Sequence, residues 1–162
     1  MSDYGSFPRE QRNVDISIWF GDIPIGHTYT MGVAGDVFFR KLRDSGQLTA
    51  SVYEGSDTAY IPPQIYCPKT FAPVKRYKKV GPKGTINTFT IVTRGRDGRP
   101  LEEPRALAMI SIDGAEGGFL HWIGGCPLDK VHIGMRVKAI VEPKSKRKGQ
   151  LSDIRHFAPA GR

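Results

Sequence analysis

The second half of the chain is divided into stretches too short for anything but β-strands. Thr85–Thr93 (TINTFTIVT), Ala106–Ile112 (ALAMISI), Phe119–Ile123 (FLHWI) and Met135–Val141 (MRVKAIV) are rich in β-branched and apolar residues, with turn-forming loops between them. A fifth strand falls within Leu151–Phe157. Pro127–Val131 (PLDKV) has room for one helical turn and no more. The 19 glycines and 12 prolines supply turns, and a hydrophobic fraction of 39% over 162 residues supplies one core.

Five short strands with a helical turn between the third and fourth fit a mainly β chain built on a five-stranded OB-fold barrel. In Met135–Val141 the odd positions are apolar while Arg136 and Lys138 face outward, a strand with one wet face. Phe119–Ile123 differs. Leu120 and Trp122 point away from Phe119 and Ile123, so both faces of that strand require burial. A barrel interior takes one face; the other needs the N-terminal arm or another protein. Before the barrel (residues 81–162) the pattern predicts two further parts. Residues 1–32 read as an extended arm, interrupted by Gly21, Pro24 and Gly26, with Trp19 and Phe20 to bury. Residues 33–80 begin with a helix over Val33–Gln47, whose stripe is Val37, Phe38, Lys41 and Leu42, with Asp36 near its start and Gly46 as its stop. An irregular stretch over 50–73 follows, where Pro62 and Pro63 exclude a central strand.

The net charge of +8 is local. Residues 75–83 (KRYKKVGPK) and 144–148 (KSKRK) hold nine of the 24 Lys and Arg, and the remaining 15 face 16 Asp and Glu. Such patches attract phosphate-bearing ligands or acidic surfaces, unless they are merely solvated turns. Cys67 and Cys126 lie far apart without a CxxC pair, so neither a disulfide framework nor a thiolate zinc site can be built from them. No two of His27, His121, His132 and His156 have metal or triad spacing, and Glu102 and Glu103 are adjacent, a poor acid–base pair. The clustered glycines form no phosphate loop, so nothing supplies an enzyme mechanism. No stretch approaches the roughly 18 apolar residues of a membrane span, and Met1–Asp15 carries no signal-peptide core, which predicts a cytoplasmic protein. An OB barrel with basic grooves also fits a single-stranded nucleic-acid binder, with Phe89, Phe119, Trp122, Phe157 and Tyr77 as candidate stacking residues.

Residues 33–159 resemble a family of small OB-fold proteins that accompany thiolases, hydroxymethylglutaryl-CoA synthase and steroid side-chain aldolases. The matching pieces are the helix, the PPxxYCP segment at Pro62–Pro68, the basic link Lys75–Lys79 and the GTINTFTIV strand at Gly84–Val92. Downstream come Pro104–Gly114, Asp129–Val137 and the terminal FAP at Phe157–Pro159. The resemblance implies a non-catalytic accessory subunit that sits on a thiolase-like enzyme, completes a tunnel to its active site and shares the acyl-CoA ligand. It implies that Lys75, Arg76, Lys78 and Lys79 contact CoA phosphates and that Trp19, Phe20, Phe119 and Trp122 dock on the partner. The family usually carries a zinc ribbon built from two CxxC pairs before the barrel. Here the four ligand positions fall on Tyr53, Ser56, Cys67 and Thr70, which implies a zinc-free relic held by packing of Tyr53, Tyr60, Ile61 and Tyr66.

Overall fold

The structure is a computed structural model that describes residue 26 and residues 29–95 and 98–161. Its one α-helix, α1 (Gly32–Ser45), ends where Gly46 turns into the left-handed region at φ 67° and returns its N–H to the Leu42 carbonyl. The helix buries Ala34, Phe38 and Leu42 and leaves Lys41 exposed, so the apolar stripe is narrower than the sequence suggests. Eight strands follow: β1 (Leu48–Tyr53), β2 (Ala59–Ile61), β3 (Val74–Val80), β4 (Lys83–Arg94), β5 (Pro100–Ile112), β6 (Glu116–Ile123), β7 (Arg136–Val141) and β8 (Ile154–Pro159). All belong to the unit Met31–Arg162. The expected helical turn is present as a 3-10 turn over Leu128–Lys130.

The last five strands carry the OB-fold. β5 pairs with β4 and β6, β7 pairs with β4 and β8, and β6 also meets β8 in parallel at Ile123 and Phe157. The pairings therefore run in a closed circuit. Gly117 and Gly118 make one junction possible, because β6 is squeezed between β2 and β5 there. A Cβ on Gly118 would stand 1.9 Å from the Ile110 carbonyl oxygen, and one on Gly117 2.1 Å from that of Ile61, with φ at 95°.

The first three strands correct the expectation that residues 50–73 are irregular. β1 (LTASVY) is buried along its whole length and pairs with both β2 and β3. Its small and hydroxylated residues hide it from a hydrophobicity reading, because one face meets α1 and the core while Ser51 and Tyr53 form a polar layer on the other. The prolines keep their expected effect: β2 stops at Ile61, immediately before Pro62. The basic link is likewise not a loop. Residues 75–79 lie inside β3, at the edge of the order β3-β1-β2-β6-β5-β4-β7-β8, where among the described residues one side of the strand has no paired neighbour.

One core joins these elements. Phe38 packs on Phe119 with ring centroids 5.7 Å apart, and Leu42, Ile86, Ile110 and Phe157 are fully buried around them. Each such side chain contributes about 1.5–3 kcal/mol by leaving water, so Ile110→Ala would cost on the order of 2–5 kcal/mol once the cavity is included.

Candidate functional site

Register decides which residues of β5 and β6 are available to a partner. Ala106, Ala108 and Ile110 oppose Ile123, His121 and Phe119, and all six are buried. The alternate pairs, Leu107 with Trp122 and Met109 with Leu120, must face the other way. Leu120 is 60% exposed and Met109 41%. No described element covers them, and Leu151 extends the apolar surface across a groove of about 340 Å³ lined by Leu107, Leu120, Trp122 and Arg155. A second cleft of about 560 Å³ lies on the other side of Trp122, under the β4–β5 hairpin, bounded by Val92, Leu101 and Arg105.

Phe119 corrects the expected set of docking residues: it faces inward against Phe38 and is 6% exposed. The outward positions are instead Leu120, Met109 and Leu107; the strict two-residue alternation with Trp122 is the signal that separates them. Trp122 is half-buried, with the Arg105 guanidinium 4.1 Å above its ring, a cation–π contact that holds both side chains flat on the sheet. That stack also weighs against nucleic-acid bases, which need free aromatic faces. Phe119 and Phe157 are buried, Phe89 is packed against the core and the Trp122 ring is covered by Arg105. Trp19 and Phe20 lie outside the described residues.

Beneath this face His121 is buried. Its Nδ1 accepts the Trp122 backbone N–H at 2.9 Å, and burial pushes its pKa below the usual imidazole value, helped by the charges of His156 and Arg105. His156 is lowered by burial and by Arg155. Among the described residues neither imidazole is paired with a nucleophile or a carboxylate.

The two basic segments differ in architecture. In β3, Lys75, Arg76, Lys78 and Lys79 are all exposed, and Arg76 reaches Asp57 at 3.3 Å. Neighbouring strand residues face opposite sides, so Lys78 and Lys79 project away from each other. Tyr77 between them is half-buried, and its hydroxyl has no hydrogen-bond partner among the described residues. The segment 144–148 is instead a tight loop between β7 and β8. The Asp153 carboxylate, 3% exposed, accepts the backbone N–H groups of Lys148, Gly149 and Gln150 at 2.9, 2.7 and 3.3 Å. Arg147 turns inward and donates to the carbonyls of Glu142 and, at the end of α1, Arg43.

The side chains at the positions that the resemblance assigns to zinc ligands do not fit a zinc ion. The Tyr53 ring is fully buried, its hydroxyl accepting from Ser51 and donating to the Gln64 carbonyl. Ser56 Oγ accepts the Thr58 N–H and Thr70 Oγ1 the Ala72 N–H, so both hydroxyls serve their own turns. Cys67 is the one thiol, and the Thr70 hydroxyl beside it lowers its pKa. The turn after Cys67 is tight: the Phe71 N–H reaches the Cys67 carbonyl at 2.9 Å, with Phe71 at φ 58°. Tyr53, Tyr60 and Ile61 pack as expected, the two rings 5.6 Å apart, but Tyr66 is 55% exposed and holds nothing together.

The fold defines an OB-fold protein whose β5 and β6 turn an apolar face outward. Residues 77–142 match the family described as ChsH2, C-terminal OB-fold domain. Two solved structures share the wider fold. One is a DUF35-family protein of unknown function from Sulfolobus solfataricus, 21% identical, with a TM-score of 0.62 over 80% of this chain and 87% of that one. The other is the Ltp2-ChsH2(DUF35) aldolase, 16% identical, with a TM-score of 0.58 over 83% of this chain and 100% of that one. No curated protein matches the sequence. Among the described residues no helix is long and apolar enough to cross a membrane.

Proposed function

We propose that this chain is a non-catalytic accessory subunit of a thiolase-type complex that processes acyl-CoA, docking through the outer face of β5 and β6. One observation carries the reading: Met109 and Leu120, both exposed, and Leu107 and Trp122, both half-buried, form two outward cross-strand apolar pairs that no other described element covers. Large exposed apolar groups clustered beside charged ones, here Arg105 and Arg155, are the composition of a protein interface with a polar rim. The similar fold of the Ltp2-ChsH2(DUF35) aldolase supports an enzyme partner. On this reading the reacting residues belong to the partner, and this chain walls the tunnel and steadies the CoA thioester. The β3 cations remain candidates for the CoA phosphates, with Lys78 and Lys79 serving different phosphates or different molecules. The cytoplasm, where acyl-CoA is handled, is the compartment this role requires.

The structure changes the mutation that tests docking. Trp122→Asp would place a carboxylate beside Arg105 and form an ion pair, so it is a blunt probe. Leu120→Asp is the cleaner probe, because the cation that shares its groove, Arg155, is already paired with Glu142 at 3.3 Å. Leu120 is already 60% exposed, so its replacement should cost the isolated fold within about 0.5 kcal/mol. In the complex it would bury an unpaired charge, at about 3–5 kcal/mol, weakening assembly at least ~100-fold. Size-exclusion chromatography with a co-expressed thiolase-type subunit should show one joint peak for the natural chain and two for Leu120→Asp. A natural chain that elutes alone, or a variant that assembles normally, contradicts the proposal.

A further inference from the structure

The loop 144–150 has features that a solvated charge run lacks. Its backbone is fixed from inside by the buried Asp153 carboxylate, and its one arginine is anchored on the end of α1. Lys144, Lys146 and Lys148 are left exposed, and none has an ion-pair partner among the described residues. Lys148 and Gly149 line one side of a concavity of about 410 Å³ whose other side is α1, with Arg40 and Arg43. Lys144 is close enough to help hold down the pKa of Asp44 at the end of the same helix. The acids nearby are spent: Asp36 pairs with Arg40 and Asp44 with Arg43, both pairs in solvent and therefore weak and exchangeable.

We propose that this loop and the C-terminal half of α1 form a binding site for a phosphate ester of about pyrophosphate size. Lys148 on the rim of the concavity, facing Arg40 and Arg43, with the exposed Lys144 and Lys146 on the same loop, matches the compact negative charge of phosphoryl groups, and the two arginines can add forked hydrogen bonds when their surface carboxylates are displaced. A track for single-stranded nucleic acid is the poorer match. The concavity is flanked by Phe39, which is packed against the core, and offers no open aromatic face for stacking. The site lies on different elements from the β5–β6 face and does not depend on the accessory role.

The test is an amide-resolved NMR titration of the full chain with sodium pyrophosphate at low salt. Saturable shifts should appear at residues 144–150 and at the end of α1. The triple variant Lys144→Gln, Lys146→Gln, Lys148→Gln keeps Asp153 and Arg147, and therefore the loop, and should bind about tenfold or more weakly. The control Lys75→Gln, Lys78→Gln on β3 should bind like the natural chain. No saturable binding, or equal weakening in triple variant and control, overturns the site. A single-stranded oligonucleotide that binds more tightly than pyrophosphate and shifts β5 and β6 also overturns it. Pyrophosphate binding by a chain that ignores the thiolase-type subunit would leave this site standing and remove the accessory reading; the reverse result would do the opposite.

Discussion

Replacing Asp153 by Ala isolates the contact on which the 144–150 loop depends. The carboxylate accepts two short backbone hydrogen bonds and one longer one, at 2.7, 2.9 and 3.3 Å, in a position 3% exposed. Hydrogen bonds to a charged group contribute about 1.5–3 kcal/mol each. The longest counts for less, and part of the loss is recovered when the freed amides reach water. A net cost of about 2–4 kcal/mol follows. The damage should also reach the neighbouring pairing, because the Asp153 carbonyl accepts the Glu142 N–H at 2.7 Å and Ile154 begins β8 in the core. In a urea titration with a slope near ~2 kcal/mol per molar, the midpoint should fall by about 1–2 M with the slope unchanged. Asp153→Asn, which retains one acceptor oxygen, should fall between the two. A loss below about 0.5 kcal/mol would refute the reasoning, since it would mean that the loop is held by something other than this carboxylate.

The pH dependence of stability follows from the depressed imidazole of His121. The folded state binds fewer protons than the unfolded one, so stability rises with pH. The contribution is whole above the unfolded value of about 6.5 and is lost as pH falls from there through the folded value. Urea midpoints at pH 7.5 and 5 should diverge for the natural chain and draw closer in His121→Gln; an unchanged difference would show that His121 is not the source. Elemental analysis of the purified chain should find no stoichiometric zinc, because Tyr53, Ser56 and Thr70 spend their oxygens on internal hydrogen bonds; one zinc per chain would overturn that reading. Neutralising Lys75, Arg76, Lys78 and Lys79 together should raise the KM of the assembled complex for acyl-CoA, by about two- to fivefold for each cation that touches a phosphate, with kcat little changed. A natural KM at low salt would remove β3 from CoA binding.

The OB-fold part was legible because each of its strands carries its own pattern. Val137 and Ala139 alternate with Arg136 and Lys138 as written in the sequence, and β4, β5 and β6 only lengthen at ends where Pro100 and Gly117 conceal pairing. β1 was illegible for a physical reason. Ser51 and Tyr53 are both 0% exposed, and the segment after Pro63 meets them: the Gln64 backbone donates to Ser51 and accepts from Tyr53. Local pattern cannot report such a distant cover. The outward apolar face was half legible. The two-sided apolar character of Phe119–Ile123 announced a surface to be covered, while removing Phe119 from it needed the register with Ile110. Arg105 above Trp122 is a contact across strands that no spacing in the sequence displays.

The central claim is that an enzyme subunit covers the outer face of β5 and β6. Hydrogen exchange of the full chain, with and without the thiolase-type subunit, measures that directly. Covering the face should slow exchange in the peptides spanning residues 105–123 and 150–155, which border the Leu120 groove, and should leave the free edge at residues 74–79 unchanged. Slowed exchange confined to residues 74–79, with residues 105–123 unaffected, would contradict the account and move the interface to the sheet edge.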